Sequence, residues 1–447
     1  AGSGLAINLG TSPGAPSGTF TTTANTGTSI LGGWAVQGAT VPTTWAVSAG
    51  TGTVAGAITG LSTFATNDFT AATNNVDLTS NQSPASGSTI NSLRFNSSGA
   101  LTLTLAGTNT ITTGGILVTA TVGSNNQVIG AAAGSGSLQT ADGGELIINN
   151  YNTNTSRTIT INSNIIANAG SSATERLTIN GSQATPGTVS LRGTNTYAGA
   201  TTVNNATLSI NATNQLGSST SLVLNNGSLS WDADASLGLA LTLGPAGGTL
   251  TMAGAGTTAR SFFAGTVAFI GTGPRTLTLV PAVNDRFYIL NGVLGNADTT
   301  SPTSLTLATS NDTRIARLDS ANTYTGNTII TRGVLRLNNA NALYSGSGGL
   351  LSTATAGNII FGGAIASTRA ILETTSTAGT ITRSLGYGPG QIHWEGSGGF
   401  SNVSAATQVV NLGGANATLT WGVGGFVPTG QELQFASASG NNNFSLG

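Results

Sequence analysis

The chain has no cysteine and no lysine, and its 447 residues include a single histidine. The missing thiols exclude disulfides, thiolate metal sites and cysteine nucleophiles together. The missing lysines exclude Schiff-base chemistry, a phosphate-loop lysine and the internal Lys–Asn isopeptide bonds that reinforce many surface fibres. One histidine cannot build a multi-histidine metal site within this chain. Charge of either sign is scarce: 6% of residues are charged, against roughly 25% in an ordinary globular protein. The 13 basic residues are all arginine, 14 residues are acidic, and the net charge is −1 with no run of either sign. Nucleic-acid binding needs clustered cations against phosphates, so no nucleic-acid partner is expected. A polybasic membrane-surface protein is excluded on the same ground. No apolar run approaches the roughly 18 residues of a membrane-spanning helix. No cofactor or metal is expected.

What the chain does have is glycine, at 65 positions, with Thr, Ser, Asn and Ala making up most of the rest. Such compositions often stay disordered, but here 38% of residues are hydrophobic and they are ordered along the chain. Alternating runs recur at 101–105 (LTLTL), 177–179, 221–224, 276–279, 304–308 and 334–337. They are short, bounded by glycine or asparagine pairs, and free of any helical period, which is the pattern of half-buried strands and tight turns. The fold class expected is all-β.

Repeats narrow the architecture. The string Val203-Asn-Asn-Ala-Thr-Leu208 returns as Leu224-Asn-Asn-Gly-Ser-Leu229, offset by 21, and its end returns again at Gly248-Thr-Leu250. A fixed period with like residues at the turns suits a parallel solenoid, whose coils lie on one another in register. Asn204, Asn205, Asn225 and Asn226 are then expected to stack as ladders whose amides satisfy one another along the axis, the logic of cross-β. With coils of roughly 20 residues, about 20 coils spaced about 4.8 Å apart would give a rod on the order of 100 Å. A longer repeat overlays this one. Residues 195–210 (NTYAGATTVNNATLSI) match 322–337 (NTYTGNTIITRGVLRL) without gaps at an offset of 127, and a worn copy sits at 107–118. Tyr197 and Tyr324 read as packing residues at a coil corner.

These segments resemble the autotransporter-associated β-strand repeat, whose pattern runs roughly G-x-N-T-Y-x-G-x-T-x-V/I-x-x-G-x-L. Residues 193–210 meet nearly every position, with Ala206 in place of the usual glycine, and 322–337 keep the signature with Ala321 ahead of it. Asn195, Tyr197, Gly199, Asn322, Tyr324 and Gly326 fall on signature positions. The short motif covers about a tenth of the chain. The blocks at 91–95 (NSLRF), 390–400 (GQIHWEGSGGF) and 410–426 extend the likeness to very large repeat proteins of Planctomycetes-type and related bacteria, across roughly residues 30–447. The resemblance implies a right-handed parallel β-helix, exported to the cell surface and usually part of a longer polypeptide. It implies no catalytic residues.

Two regions follow. Residues 91–447 are expected to form the β-solenoid, with repeat segments at 193–216 and 321–343. Residues 1–90 read as an N-terminal cap, a linking segment or the start of the same solenoid, with Trp34 and Trp45 flanking a turn at Val41-Pro42. A start at Ala1 is consistent with a removed export signal or an excised segment. The segments 6–10 (AINLG) and 443–447 (NFSLG) share a strand-like ending. Ile7, Leu9, Phe444 and Leu446 are therefore candidate assembly positions, since open strand edges template pairing and a head-to-tail contact without closure builds a filament. The alternative is that both ends are arbitrary limits within a longer rod.

Enzymatic β-helices place carboxylates on one face. Asp232 and Asp234 share a face beside Trp231, as a glycosidase pair or a calcium site would, or form a solvated loop. His393 and Glu395 flank Trp394 as an acid–base pair or a surface ladder. Asp142 and Glu145 read as a turn, and Asp285–Arg286 and Asp312–Arg317 as local ion pairs. The like contexts of Trp394 and Trp421 suggest repeated packing positions rather than a cleft. Taken together, the expectation is a secreted, non-enzymatic structural protein of a cell-surface or extracellular fibre. Its partners would be further copies of itself, head-to-tail or lateral, and surface glycans. A monomeric adhesin rod binding glycan or protein is the first alternative, and a polysaccharide-degrading β-helix the second.

Overall fold

The computed structural model describes residues 5–8, 21–22, 29–38, 41–51, 54–141, 144–170, 174–218, 221–233, 235–254, 260–262, 265–282, 287–343, 357–363, 368–375, 381–413, 418–437, 440 and 443–446. Among these the regular structure is strand, apart from two short 3₁₀ turns at Ala120–Val122 and Thr213–Leu216. No helix is long and apolar enough to cross a membrane among the described residues. The chain divides into two compact units, Ala1–Ser228 and Leu229–Gly447.

The first unit opens with a five-stranded sheet. Leu5–Asn8 is an outer strand, parallel to Ala35–Gly38, and Thr44–Ser48, Gly56–Gly60 and Thr21–Thr22 follow antiparallel. From Ala65 onward the pairing is parallel. One sheet steps from Ala65–Thr66 through Asn75–Leu78, Thr89–Phe95, Thr108–Val118, Glu145–Asn150, Arg176–Gly181 and Thr201–Asn204 to Ser221–Asn225. A second steps through Leu101–Leu103, Gln127–Ile129, Thr158–Ile161, Thr188–Leu191 and Thr207–Ile210. Register sets like on like: Ile148, Ile179, Val203 and Leu224 are successive partners and all are buried. Parallel strands need such a crossover between every pair, and repeated coils supply it.

Burial along these strands reports what lies outside them. Thr201–Asn204 alternates buried and half-buried, the mark of one covered face. The end of Thr108–Val118 and most of Glu145–Asn150 are buried on both faces, because the N-terminal sheet lies over them. Ile30, Val36, Trp45 and Leu61 pack there against Leu117 and Tyr151. The approach is close enough that a Cβ on Gly33 would sit 2.6 Å from the Gly115 backbone, so neither glycine admits a side chain. Arg94, ion-paired with Asp77 at 2.7 Å, also donates to the Thr43 carbonyl from beneath the same sheet.

In the second unit one parallel sheet runs through Gly248–Met252, Arg275–Pro281, Thr303–Ala308, Thr328–Leu337, Ile359–Phe361 and Ile392–Trp394. Another runs through Arg260–Phe262, Phe287–Leu290, Ile315–Leu318, the end of Thr328–Leu337, Ala370–Thr374, Gly398–Asn402 and Leu433–Phe435. Thr328–Leu337 serves both sheets because its register shifts near Arg332 and Gly333 takes a φ of 92°, a bulge that turns the strand. Phe444–Leu446 is an outer strand of a separate three-stranded sheet, parallel to Gln408–Asn411. The expected Asp312–Arg317 pairing takes another form. Asp312 receives Arg332 at 2.7 Å, and Arg317 turns to Asp319 at 2.6 Å.

Candidate functional site

The chemistry with the clearest repetition is the corner at residues 195–201, reproduced at 322–328. Asn195 accepts the Ile165 amide through Oδ1 at 2.7 Å and donates through Nδ2 to the Gln215 carbonyl at 2.5 Å. Asn322 accepts the Leu294 amide at 2.9 Å and donates to the Ala342 carbonyl at 2.7 Å. Each side chain thus ties together three successive passes of the chain while buried, so its amide leaves no polar atom to desolvate unpaired. Two residues on, the Tyr197 hydroxyl meets Thr201 Oγ1 at 2.7 Å, and the Tyr324 hydroxyl meets Thr328 Oγ1 at the same distance. Both rings are buried, which pushes the Tyr197 phenol pKa up and that of Tyr324 up to about 12. The Gly199 amide donates to Glu175 O at 2.7 Å and the Gly326 amide to Thr303 O at 2.9 Å. A Cβ at either glycine would lie 2.5 or 2.3 Å from that oxygen, which is why the motif has glycine there.

The asparagine pairs form two files in the first unit. Asn149, Asn180, Asn204 and Asn225 are successive register partners. Asn204 Nδ2 donates to Asn180 Oδ1 at 3.0 Å, Asn180 Nδ2 to Asn149 Oδ1 at 3.0 Å, and Asn149 Nδ2 to the Gly33 carbonyl at 2.8 Å. The sequence steps are 24 and 31 residues within this file. The second file is exposed: Asn226 Nδ2 donates to Asn205 Oδ1 at 2.9 Å, 21 residues apart. Asn205 and Asn226 adopt φ of 50° and 51°. Asparagine tolerates this left-handed conformation better than other side chains, so the two-residue corner selects it.

The second unit carries a charged file at successive register positions, Arg317, Arg336, Glu373 and Ser401. Glu373 is fully buried. Its Oε1 is held by Arg336 Nε, and its Oε2 accepts from Ser401 Oγ at 3.0 Å and from Ser437 Oγ.

Of the proposed chemical pairs, His393 and Glu395 are brought together, with Nε2 and Oε1 3.4 Å apart, but in unlike settings. His393 is buried in Ile392–Trp394 while the Glu395 side chain is 63% exposed. Asp232 follows the strand Gly227–Trp231 and accepts from Ser230 Oγ at 2.8 Å. Asp234, Asp142, Asp285, Arg286 and Leu9 lie outside the described residues. Ile7 belongs to Leu5–Asn8, and Phe444 and Leu446 to Phe444–Leu446. No group of three or more His, Asp or Glu able to hold a metal occurs among the described residues.

The like sequence contexts of Trp394 and Trp421 lead to unlike positions in the structure. Trp394 is buried, stacked on Phe361 at 4.8 Å and edge-on to Phe400 and Phe426. Trp421 is 49% exposed, edge-on to Phe426 at 5.4 Å, and on the same turn Val423 is exposed. Tyr387, 68% exposed, lies over His393 at 4.6 Å.

No protein-family model, no curated protein and no solved structure matches this chain.

Proposed function

We propose that both units are right-handed parallel β-helices and that the chain is a non-enzymatic, exported structural protein, a building block of a bacterial cell-surface or extracellular fibre. The steps along the asparagine file, 31 and 24 residues, exceed the roughly 20 residues per coil expected from the sequence. The observation that carries the reading is the duplicated corner. Asn195 and Asn322 each spend both amide functions on neighbouring passes of the chain. Tyr197 and Tyr324 are used as buried locks rather than as exposed contacts. Interactions of this kind recur by translation and reward continuation of the stack, as repeat architectures do. The low charge fits, since like charges stacked at strand spacing repel. Among the described residues, Leu5–Asn8 and Phe444–Leu446 are outer strands of their sheets, the kind of position at which a further strand pairs.

Electron microscopy of the purified full chain without added ligand tests this. Regular unbranched filaments are the expected result. Isolated particles of fixed length at all concentrations would overturn self-assembly and leave the adhesin reading in its place.

A further inference from the structure

We propose that the corner at residues 107–111 holds a binding site for a small monocyclic aromatic molecule, at the position where the two like corners carry a tyrosine. Phe69, Ile90, Leu93, Leu103, Ile111 and Leu138 line a cavity there, about 270 Å³ of empty space that is partly open to solvent. All of these side chains but Phe69 are buried.

The cavity follows from a change of residue inside a repeated frame. The string Gly-Thr-Asn-Thr stands at 107–110 and again at 193–196. The two asparagines also occupy one row of the stack. Asn109 is the register partner of Leu138, and Leu138 of Ile165. Ile165 in turn receives Thr196 N on its carbonyl at 2.9 Å and donates its amide to Asn195 Oδ1. Two residues beyond the asparagine the corners differ. Tyr197 and Tyr324 fill theirs with buried rings, and the first corner has Ile111.

An isoleucine is shorter than a tyrosine, and the strands around it are not free to close the difference. Thr110 N donates to Ser88 O at 2.9 Å and Ser137 N to Gly107 O at 2.7 Å, which fixes the spacing of the passes on either side. Space left by a smaller side chain in such a frame persists as a void. Asn109 shows the same incomplete filling. Asn195 and Asn322 each accept a backbone amide through Oδ1. Asn109 donates through Nδ2 to the Ala106 carbonyl at 3.1 Å and the Ser137 carbonyl at 3.4 Å, while its Oδ1 is buried without a partner.

The lining selects the ligand class. The polar side chains beside the cavity are turned to the protein. Ser88 Oγ donates to the Ala85 carbonyl at 2.7 Å, and Thr110 Oγ1 accepts from Gln139 Nε2 at 3.1 Å. A sugar or an ion would lose its hydration there without compensation. A cavity walled by Leu, Ile and Phe stays dry and takes up benzene-like molecules. Phe69, half-buried where the others are covered, offers an entering ring an aromatic neighbour, and aromatic pairs gain from edge-on or offset contact. This inference does not depend on fibre formation, and its test does not read filaments.

The test is equilibrium dialysis of the full chain against toluene and p-cresol, the free form of a tyrosine side chain, with glucose as the control. Saturable uptake of one aromatic molecule per chain is expected, with a rise in the thermal unfolding midpoint as the ligand is added. Ile111→Tyr restores the residue of the like corners and should weaken toluene binding by about tenfold or more, because the space is taken. Leu138→Phe should do the same from the facing side. Circular dichroism matching the parent identifies the folded variants. Photolabelling of the unmodified chain with a phenyl diazirine, followed by peptide mapping, locates the site without any substitution, and label within 69–138 is expected. No saturable uptake, uptake unchanged in a folded Ile111→Tyr or Leu138→Phe chain, or label confined to other segments overturns the proposal.

Discussion

In the first unit the polar file running across the stacked strands is asparagine, at 149, 180, 204 and 225. In the second it is Arg317, Arg336, Glu373 and Ser401. An amide donates and accepts, so one residue type satisfies itself at every step and the file has no natural length. Charges cannot repeat in this way. Arg317 and Arg336 are neighbours and of one sign, so each needs its own carboxylate, Asp319 for the first and Glu373 for the second. The file then closes on the hydroxyls of Ser401 and Ser437. Neutral ladders can be extended indefinitely, and ionic ones must be composed position by position. A stack that is to be copied many times therefore favours asparagine, as in the file from Asn149 to Asn225 of a chain with 6% charged residues.

The contrast makes three measurable claims, each read from urea unfolding midpoints. The largest effect is expected for Glu373→Ala, which removes the carboxylate paired with the buried Arg336 guanidinium. Breaking one side of a buried pair costs about 3–5 kcal/mol. A loss below that of the asparagine variants would erase the distinction between the two files. Next is Asn180→Ala, which leaves Asn149 Oδ1 and Asn204 Nδ2 without their partner and should cost about 1–3 kcal/mol. Asn180→Asp should cost more although it keeps the acceptor for Asn204, because it buries a charge and sets a carboxylate oxygen against Asn149 Oδ1. Smallest are Tyr197→Phe and Tyr324→Phe, each losing one buried hydroxyl contact of about 1 kcal/mol. The contact is the same at both corners, so the two losses should differ by less than the contact itself, about 1 kcal/mol. A larger gap would mean that the like corners are not energetically equivalent.

Much of this organisation was legible along the chain. Alternation marked strands such as Ser221–Asn225 and Arg275–Pro281, and the Asn-Asn pairs marked the corners where φ turns positive. These are local signals, carried by residues within one turn of each other. Three features were not legible, each set by distant parts of the chain. The antiparallel sheet ahead of Ala65 and its seat on Leu117 and Tyr151 rest on Gly33 meeting Gly115, and nothing in either neighbourhood announces the other. Arg336 and Glu373 are 37 residues apart and meet through register. Trp394 and Trp421 have like neighbours in sequence, yet one string forms a strand under cover and the other a turn in solvent. Composition near a tryptophan says nothing about what the rest of the chain lays over it.

Along the asparagine file, Asn204 and Asn180 each point their N–H toward the earlier strand, and Asn180 and Asn149 each point their carbonyl toward the later one. The row is therefore an arrow. Reversing one stack against another would bring oxygen to oxygen or N–H to N–H, while the same sense matches donor to acceptor at every rung. Chain direction, which the backbone already encodes, is written a second time in the side chains, and any copy that joins the row must read it in the same sense.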